Sequence, residues 1–341
     1  MTDALRALTR TPALTAVVVL SLGVGIGVNT VVFSWIQAVV LRPLPGVAGV
    51  GSLRLVEPRS DAGTYPGVSW PEYLDLVERV GAFSDLVAFR MTPTSAGEGG
   101  QTERTYALLV SGNYFDALGL APAAGRLLTR ADAARPGEGP VVVISHDYWQ
   151  TRFGGDRSAV GRAIRVNGLP LTIAGVTPEG FQGTVIGLQF DFWIPATMAP
   201  VVLPGSRELE ARGQRGYSVI GRLAPGATAA QAEVEVSAAY ADFAREYPEA
   251  AAATVGEVLP LWQSPRGPQR MFAAGLALLQ ALMLLVWVGV CGNLATLMLA
   301  RASARHREAG IRLALGANRG TVARLILSES TALATGGALA G

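Results

Sequence analysis

The sequence predicts an α-helical transmembrane protein with a large α+β extracytoplasmic domain, and three observations predict it. Half of the 341 residues are hydrophobic and only 16% are charged, whereas an ordinary soluble domain carries about 25%. The deficit is concentrated in two places, because positions 11–41 and 271–300 contain no charged residue at all. Between them, 42–270 carries 20 arginines and 23 acids and alternates strand-like with helix-like patterns.

At 1.5 Å per residue each uncharged stretch would extend about 45 Å as a helix, more than a hydrocarbon core of roughly 30 Å. Both are expected to be transmembrane helices. A cleaved leader is the alternative for the first, since Arg6 and Arg10 supply a basic start, but an h-region runs only about 7–15 residues. Within this first span Gly23 and Gly27 form a GxxxG pair, with Ser21 and Gly25 also four apart, and small residues at this spacing let a second helix approach closely. The flanks 1–10 and 301–341 hold eight arginines against Asp3, Glu308 and Glu329, while the middle has a net charge of −3. The positive-inside rule then puts both flanks in the cytoplasm and 42–270 outside. The expected plan is a cytoplasmic N-terminus (1–10), a first span (11–41), an extracytoplasmic domain (42–270), a second span (271–300), a cytoplasmic loop (301–324) and the start of a third span (325–341). This plan is the one expected of a multi-pass membrane protein.

Pro43 and Pro45 close the first span. Ser69-Trp70-Pro71-Glu72 then reads as a helix entry with Ser69 as N-cap and Glu72 completing a capping box, and Tyr73, Leu76, Val77 and Val80 follow at helical spacing. Gly97–Gly100 and Pro136–Pro140 read as exposed turns. Val141–Ile144 is a short β-branched run expected as a buried strand, and a helix from His146 to Phe153 is stopped by Gly154-Gly155. Ala163–Val176 reads as a hairpin around Asn167-Gly168, a pair suited to two successive positive φ angles. Thr228–Tyr247 reads as an amphipathic helix N-capped by Thr228, with Pro248 beyond its end. Together these predict an α+β domain with two subdomains. Trp70, Tyr114, Phe115, Trp149, Phe153 and Trp193 are expected in its core. Its acids, including the pairs Glu208/Glu210 and Glu233/Glu235, are expected on solvated faces.

Every basic residue is arginine; there is no lysine. A Walker phosphate loop and Schiff-base catalysis both require lysine. His146 and His306 are the only histidines and fall on opposite sides of the predicted membrane, so they cannot assemble a metal site or a triad. Cys291 is the sole cysteine, which excludes an intramolecular disulfide. The chain is therefore not expected to be an enzyme, to hydrolyse ATP or to hold a cofactor, and no nucleic-acid partner is expected.

The segment Arg301–Arg324 carries six arginines and one glutamate. Ala302–Leu315 consists of helix formers apart from Gly310, and Gly316 suits a left-handed C-terminal cap. Glu308 and Arg312 are four apart with the acid first, the favourable order for an ion pair. The expectation is a short helix lying across the membrane surface, its arginines near lipid headgroups and its apolar positions against a partner. Asn318 can cap a second helix containing Val322, Leu325 and Ile326.

Arg307-Glu308-Ala309-Gly310-Ile311-Arg312-Leu313-Ala314-Leu315-Gly316-Ala317 resembles the E-x-G-x-R-x-A-x-G-A signature of the MacB/FtsX-type ABC transporter permeases. Val110–Gly119 resembles that family's VSxNYFxxLG segment. Tyr148–Asp156, Val160-Gly161-Arg162, Val166-Asn167-Gly168 and Gly175-Val176 resemble its periplasmic core domain. Arg10-Thr11-Pro12 with Gly27-Val28-Asn29-Thr30 is most similar to the duplicated permeases of acidobacteria and related soil bacteria.

The resemblance implies a permease subunit that transmits ATPase-driven motion to an extracytoplasmic domain for export or efflux. It implies an ABC ATPase subunit (ATP-binding protein) as partner, a homodimer or pairing with a second permease half, and a cytoplasmic coupling segment. Arg307, Glu308, Gly310, Ile311, Arg312, Ala314, Leu315 and Gly316 would carry that coupling, with Glu308, Gly310 and Arg312 at its centre. One half of such a permease should have four spans. Here the third begins near Leu325 and only 12 residues follow Glu329, which reads as a partial permease. Two other functions stay open: an FtsX-like regulator of a periplasmic partner, which the sequence does not separate from export because both use the same cytoplasmic coupling, and a two-span sensor, which would need a signalling domain where this chain turns apolar again.

Overall fold

A computed structural model describes residues 12–36, 44–97, 103–185, 187–251, 254–266, 269–314 and 335, some helical side chains excepted. The chain divides into two units, 42–270 and the flanks 1–41 with 271–341. In chain order the longer helices are α1 (Pro12–Ile36), α2 (Trp70–Arg79), α3 (Tyr114–Leu118), α4 (His146–Phe153), α5 (Ala229–Glu246) and α6 (Gln269–Ala314). The described strands are β1 (Leu53–Ser60), β2 (Val68–Ser69), β3 (Phe83–Ala96), β4 (Glu103–Val110), β5 (Ala124–Gly125), β6 (Val141–Ile144), β7 (Ala163–Val166), β8 (Leu169–Val176), β9 (Phe192–Pro195), β10 (Arg215–Leu223) and β11 (Thr254–Pro260).

Local chemistry accounts for most boundaries in 42–270. Ser69 Oγ accepts from the Glu72 amide while Glu72 Oε2 accepts from the Ser69 amide, so the capping box that starts α2 is closed; a cap of this kind is worth about 1 kcal/mol. Tyr73, Leu76 and Val80 are buried as the spacing predicts, but Val77 is 43% exposed, because the stripe facing the sheet is narrower than the apolar pattern. Ser145 caps α4, and Gly154 ends it in the left-handed region. Asn167 and Gly168, at φ 50° and 78°, make the two-residue turn joining β7 to β8. Thr228 and Gln231 close a second capping box at the start of α5. The Pro136–Pro140 turn is mostly exposed, whereas 98–100 lies outside the described residues.

The sheet path is β11-β1-β10-β3-β4-β9-β6-β8-β5, with β2 on β10 and β7 on β3 and β8. Pairing is antiparallel except for β4–β9 and β6–β8. The strands of 42–270 form a single sheet. β3 is 14 residues long; its first half pairs with β10 and its second half with β4. One strand therefore joins the two halves into a continuous sheet. One hydrophobic cluster follows it from Val56 and Phe243 to Ile173 and Val176. Tyr114, Phe115, Phe181 and Trp193 pack edge-on or tilted within 6.3 Å of one another along successive contacts. Each fully buried ring of this size contributes about 1.5–3 kcal/mol. Trp70, Tyr114, Phe115, Trp149 and Trp193 are buried and Phe153 is partly buried, as expected.

Candidate functional site

The coupling residues predicted from sequence fall at the end of α6. This helix is 46 residues long, about 69 Å at helical rise, and runs unbroken through 271–300 and on to Ala314. The expected short, separate helix is thus replaced by a continuation of the same helix. No proline occurs between Gln269 and Ala314, and an isolated Gly310 costs a helix only about 1 kcal/mol, too little to break it. Arg307, Glu308, Gly310, Ile311, Arg312 and Ala314 lie in its last turns by backbone; Leu315, Gly316 and the predicted second helix from Asn318 lie outside the described residues.

The other half of this unit is α1. Gly23 and Gly25 are buried and Gly27 is partly buried. The close approach is at Gly25, where a Cβ would stand 3.5 Å from Trp287 Cδ1. One turn on, Asn29 Nδ2 donates to the Gly25 carbonyl (2.8 Å) and to the Met283 carbonyl of α6 (3.4 Å). Gln280 Nε2 donates to Asn29 Oδ1 at 3.3 Å. Asn29 and Gln280 were missed as packing residues, although amides inside two uncharged stretches were the available signal. Replacing Asn29 with leucine should weaken this pairing by about 1 kcal/mol. Detergent-driven unfolding of the chain measures it, and the double change with Gln280→Leu should then cost no more than Asn29→Leu alone.

The surfaces of α1 and α6 are apolar and open: Leu20, Val24, Leu278, Leu285, Val288 and Leu299 are each more than 60% exposed. Thr30, Ser34 and Thr296 donate to carbonyls four residues back in their own helices, which leaves their hydroxyl protons needing no water. Among the described residues no helix is long and apolar enough to cross a membrane; both predicted spans include positions whose placement or side chains lie outside those residues.

Several acids of the 42–270 unit have structural partners: Glu57, Glu72 and Glu208 are buried, and Glu233 and Glu235 are half-buried, where solvated faces were expected for Glu208, Glu233 and Glu235. Glu208 is buried, ion-paired with Arg90 and hydrogen-bonded by the Tyr217 hydroxyl and Ser206. Glu233 and Glu235 accept the Val258 and Ala82 amides. Glu72 is paired with Arg215, and burial pushes its carboxyl up despite that partner. Glu57 on β1 has no exposed surface and neither oxygen has a hydrogen-bond partner; burial pushes it up to about 7, against the pull of Arg266 and Ser218. Glu208, Glu233 and Glu235 take arginines and amides from distant segments, which is why local patterning did not reveal them. His146 begins α4 with its ring 5.6 Å from that of Trp149. Among the described residues no group of three His, Cys, Asp or Glu could hold a metal ion.

The VSxNYFxxLG-like segment is structural. Ser111 Oγ accepts the Ala88 amide and Asn113 Nδ2 donates to the Leu86 carbonyl, tying the end of β4 to β3. The Tyr114 hydroxyl meets Thr184 at 2.9 Å.

Comparison with known proteins bears on both units. Residues 15–239 match the family described as MacB-like periplasmic core domain, and residues 281–341 match the FtsX-like permease C-terminal family. A protein named "Probable syringafactin export ATP-binding/permease protein SyfD", of Pseudomonas syringae pv. tomato, is 26% identical over 79% of this chain and 36% of its own length. The macrolide export ATP-binding/permease protein MacB of Burkholderia cenocepacia is 26% identical over 78% of this chain and 38% of its own. The chain thus spans little more than a third of the length of these relatives. The periplasmic region of MacB from Actinobacillus actinomycetemcomitans aligns with 63% of this chain and 91% of its own at 13% identity, with a TM-score of 0.47.

Proposed function

Because this chain belongs to the MacB/FtsX-type family of ABC transporter permeases, we propose that it transmits the motion of a partner ATPase to an extracytoplasmic 42–270 unit, for export or efflux. The observation that carries this reading is the continuity of α6. It starts where the folded 42–270 unit ends, passes through the uncharged stretch 271–300 and finishes in the basic segment containing Glu308, Gly310 and Arg312. A helix without a break transmits an axial displacement, whereas a flexible loop at 301 would absorb it.

The export named in the relatives supports the transport reading, and the charge asymmetry supports 42–270 as the outer side. The open apolar faces of α1 and α6 and their self-bonded hydroxyls fit a lipid environment, where backbone and side-chain polar groups must be satisfied internally. In this reading both flanks are cytoplasmic, the pair α1–α6 spans the inner membrane, and a second permease copy or half covers the rest of its apolar surface. An FtsX-like regulator would use the same coupling and differ only in what the 42–270 unit acts on.

The test is Gly310→Trp in the full-length gene product. Bulk at this position should abolish stimulation of the partner ATPase, read as phosphate release with and without the permease, while membrane insertion is unchanged. Unaltered stimulation would sink the assignment of Arg307–Gly316 as the coupling segment. Co-purification from membranes identifies the ATPase itself.

A further inference from the structure

The strand that leads into α6 is poorly placed to receive force. β11 is the edge of the sheet path, held on one side by β1, and an edge strand pulled at one end can peel away one hydrogen bond at a time. Arg266 lies three residues before α6 begins, and its side chain reaches past that edge. Nη1 donates to the Tyr217 carbonyl at 2.8 Å and Nη2 to the Gly216 carbonyl at 2.6 Å. Both acceptors belong to β10, which sits between β1 and β3. They fall where the pairing of β10 with β2 shifts register, a place where ladder carbonyls are freed.

Two further features fit this reach. Glu57 Oε2 lies 3.9 Å from Arg266 Nη1 and is a wholly buried carboxyl without a hydrogen-bond partner. Gly67, at φ 82°, makes room for the side chain: a Cβ there would overlap the Arg266 guanidinium and stand 2.9 Å from the Tyr217 carbonyl oxygen. The guanidinium is thus held by two charge-assisted bonds, a counter-charge and a gap that only glycine leaves.

We propose that Arg266 is a positioning residue for mechanical coupling: it staples the root of α6 to the central strand β10, so that displacement of the helix loads the middle of the sheet rather than its edge. This rests on the coupling reading of α6 given above. With the staple closed, β10 shares the load with neighbours on both sides. With it open, the load falls on β11.

The experiment uses the full-length gene product assembled with its ATPase in lipid nanodiscs, nucleotide-free and ATP-bound with a hydrolysis-deficient ATPase. Amide hydrogen exchange is read at Ser218–Leu223 of β10 and at β11. Wild type should show an ATP-dependent change at β10. Arg266→Gln should abolish it and confine any change to β11, with nucleotide-free protection of the sheet and basal ATPase activity retained. Gly67→Ala, which displaces the guanidinium without removing its charge, should do the same, and Arg266→Lys should restore part of the response. A wild-type-sized change at β10 in both Arg266→Gln and Gly67→Ala overturns the staple and leaves the coupling reading standing. No ATP-dependent change in wild type overturns the coupling reading and the staple with it.

Discussion

Arg215→Met should destabilise the 42–270 unit by about 3–5 kcal/mol, the range for stripping one partner from a buried ion pair. Glu72 and the Arg215 side chain are 1% and 9% exposed. Glu72 has two duties: Oε2 holds the Ser69 amide that starts α2, and Oε1 meets Arg215 Nη2, which also donates to the Ala250 carbonyl at 3.2 Å. Without the guanidinium the carboxyl stays buried with one amide as its partner. Its affinity for a proton, already raised by burial, rises further, so the variant should suffer more at pH 8 than at pH 5. Adding Glu72→Gln should recover most of the loss, because glutamine can still cap Ser69 and carries no charge to strand. Urea midpoints of the whole chain, followed by tryptophan fluorescence, measure all three proteins. A loss under about 1 kcal/mol for Arg215→Met would show that the pair behaves like a surface ion pair.

Glu57→Gln should remove a pH dependence of about 2–3 kcal/mol between pH 5 and pH 8. The carboxyl titrates near 7 in the folded protein against 4.5 in its ordinary state, with burial as the first cause. A raised folded value means the folded chain binds this proton more tightly than the unfolded chain does. The contribution is therefore fully present below pH 4.5 and is lost as pH rises through 7. Other groups titrate in both proteins alike, so the difference between wild type and Glu57→Gln isolates this one. Glutamine should match or exceed wild type at pH 8 and fall behind at pH 5. Parallel stability curves for the two proteins across that interval would refute the assignment.

How much of this was legible in advance depended on how far apart the partners lie in the chain. The Ser69–Glu72 box, the Asn167-Gly168 turn and the limits of α4 and α5 are each decided within a few residues, and each was readable. The glycine spacing of α1 did not single out Gly25 or Asn29, because Gly25 meets Trp287 and Asn29 meets Gln280 only once two stretches some 250 residues apart come together. Glu208 was misread for the same reason: its partners Arg90 and Tyr217 are on other strands, and nothing next to it announces burial. The break expected at 301 was a change in composition, not in backbone preference, and the helix ignored it.

The sequence by itself determined the two uncharged stretches, the sign of their flanks, the arginine-rich segment Arg301–Arg324 and the local starts and stops of the 42–270 elements. All of these follow from residue type and short-range spacing. Only the tertiary structure decided that β3 joins the domain into one sheet, that α6 runs unbroken into the basic segment, and that Glu57, Glu72 and Glu208 are buried among arginines. The physical reason is that burial and strand order are set by contacts between distant segments, where a charge loses its water and must find its partner elsewhere in the chain.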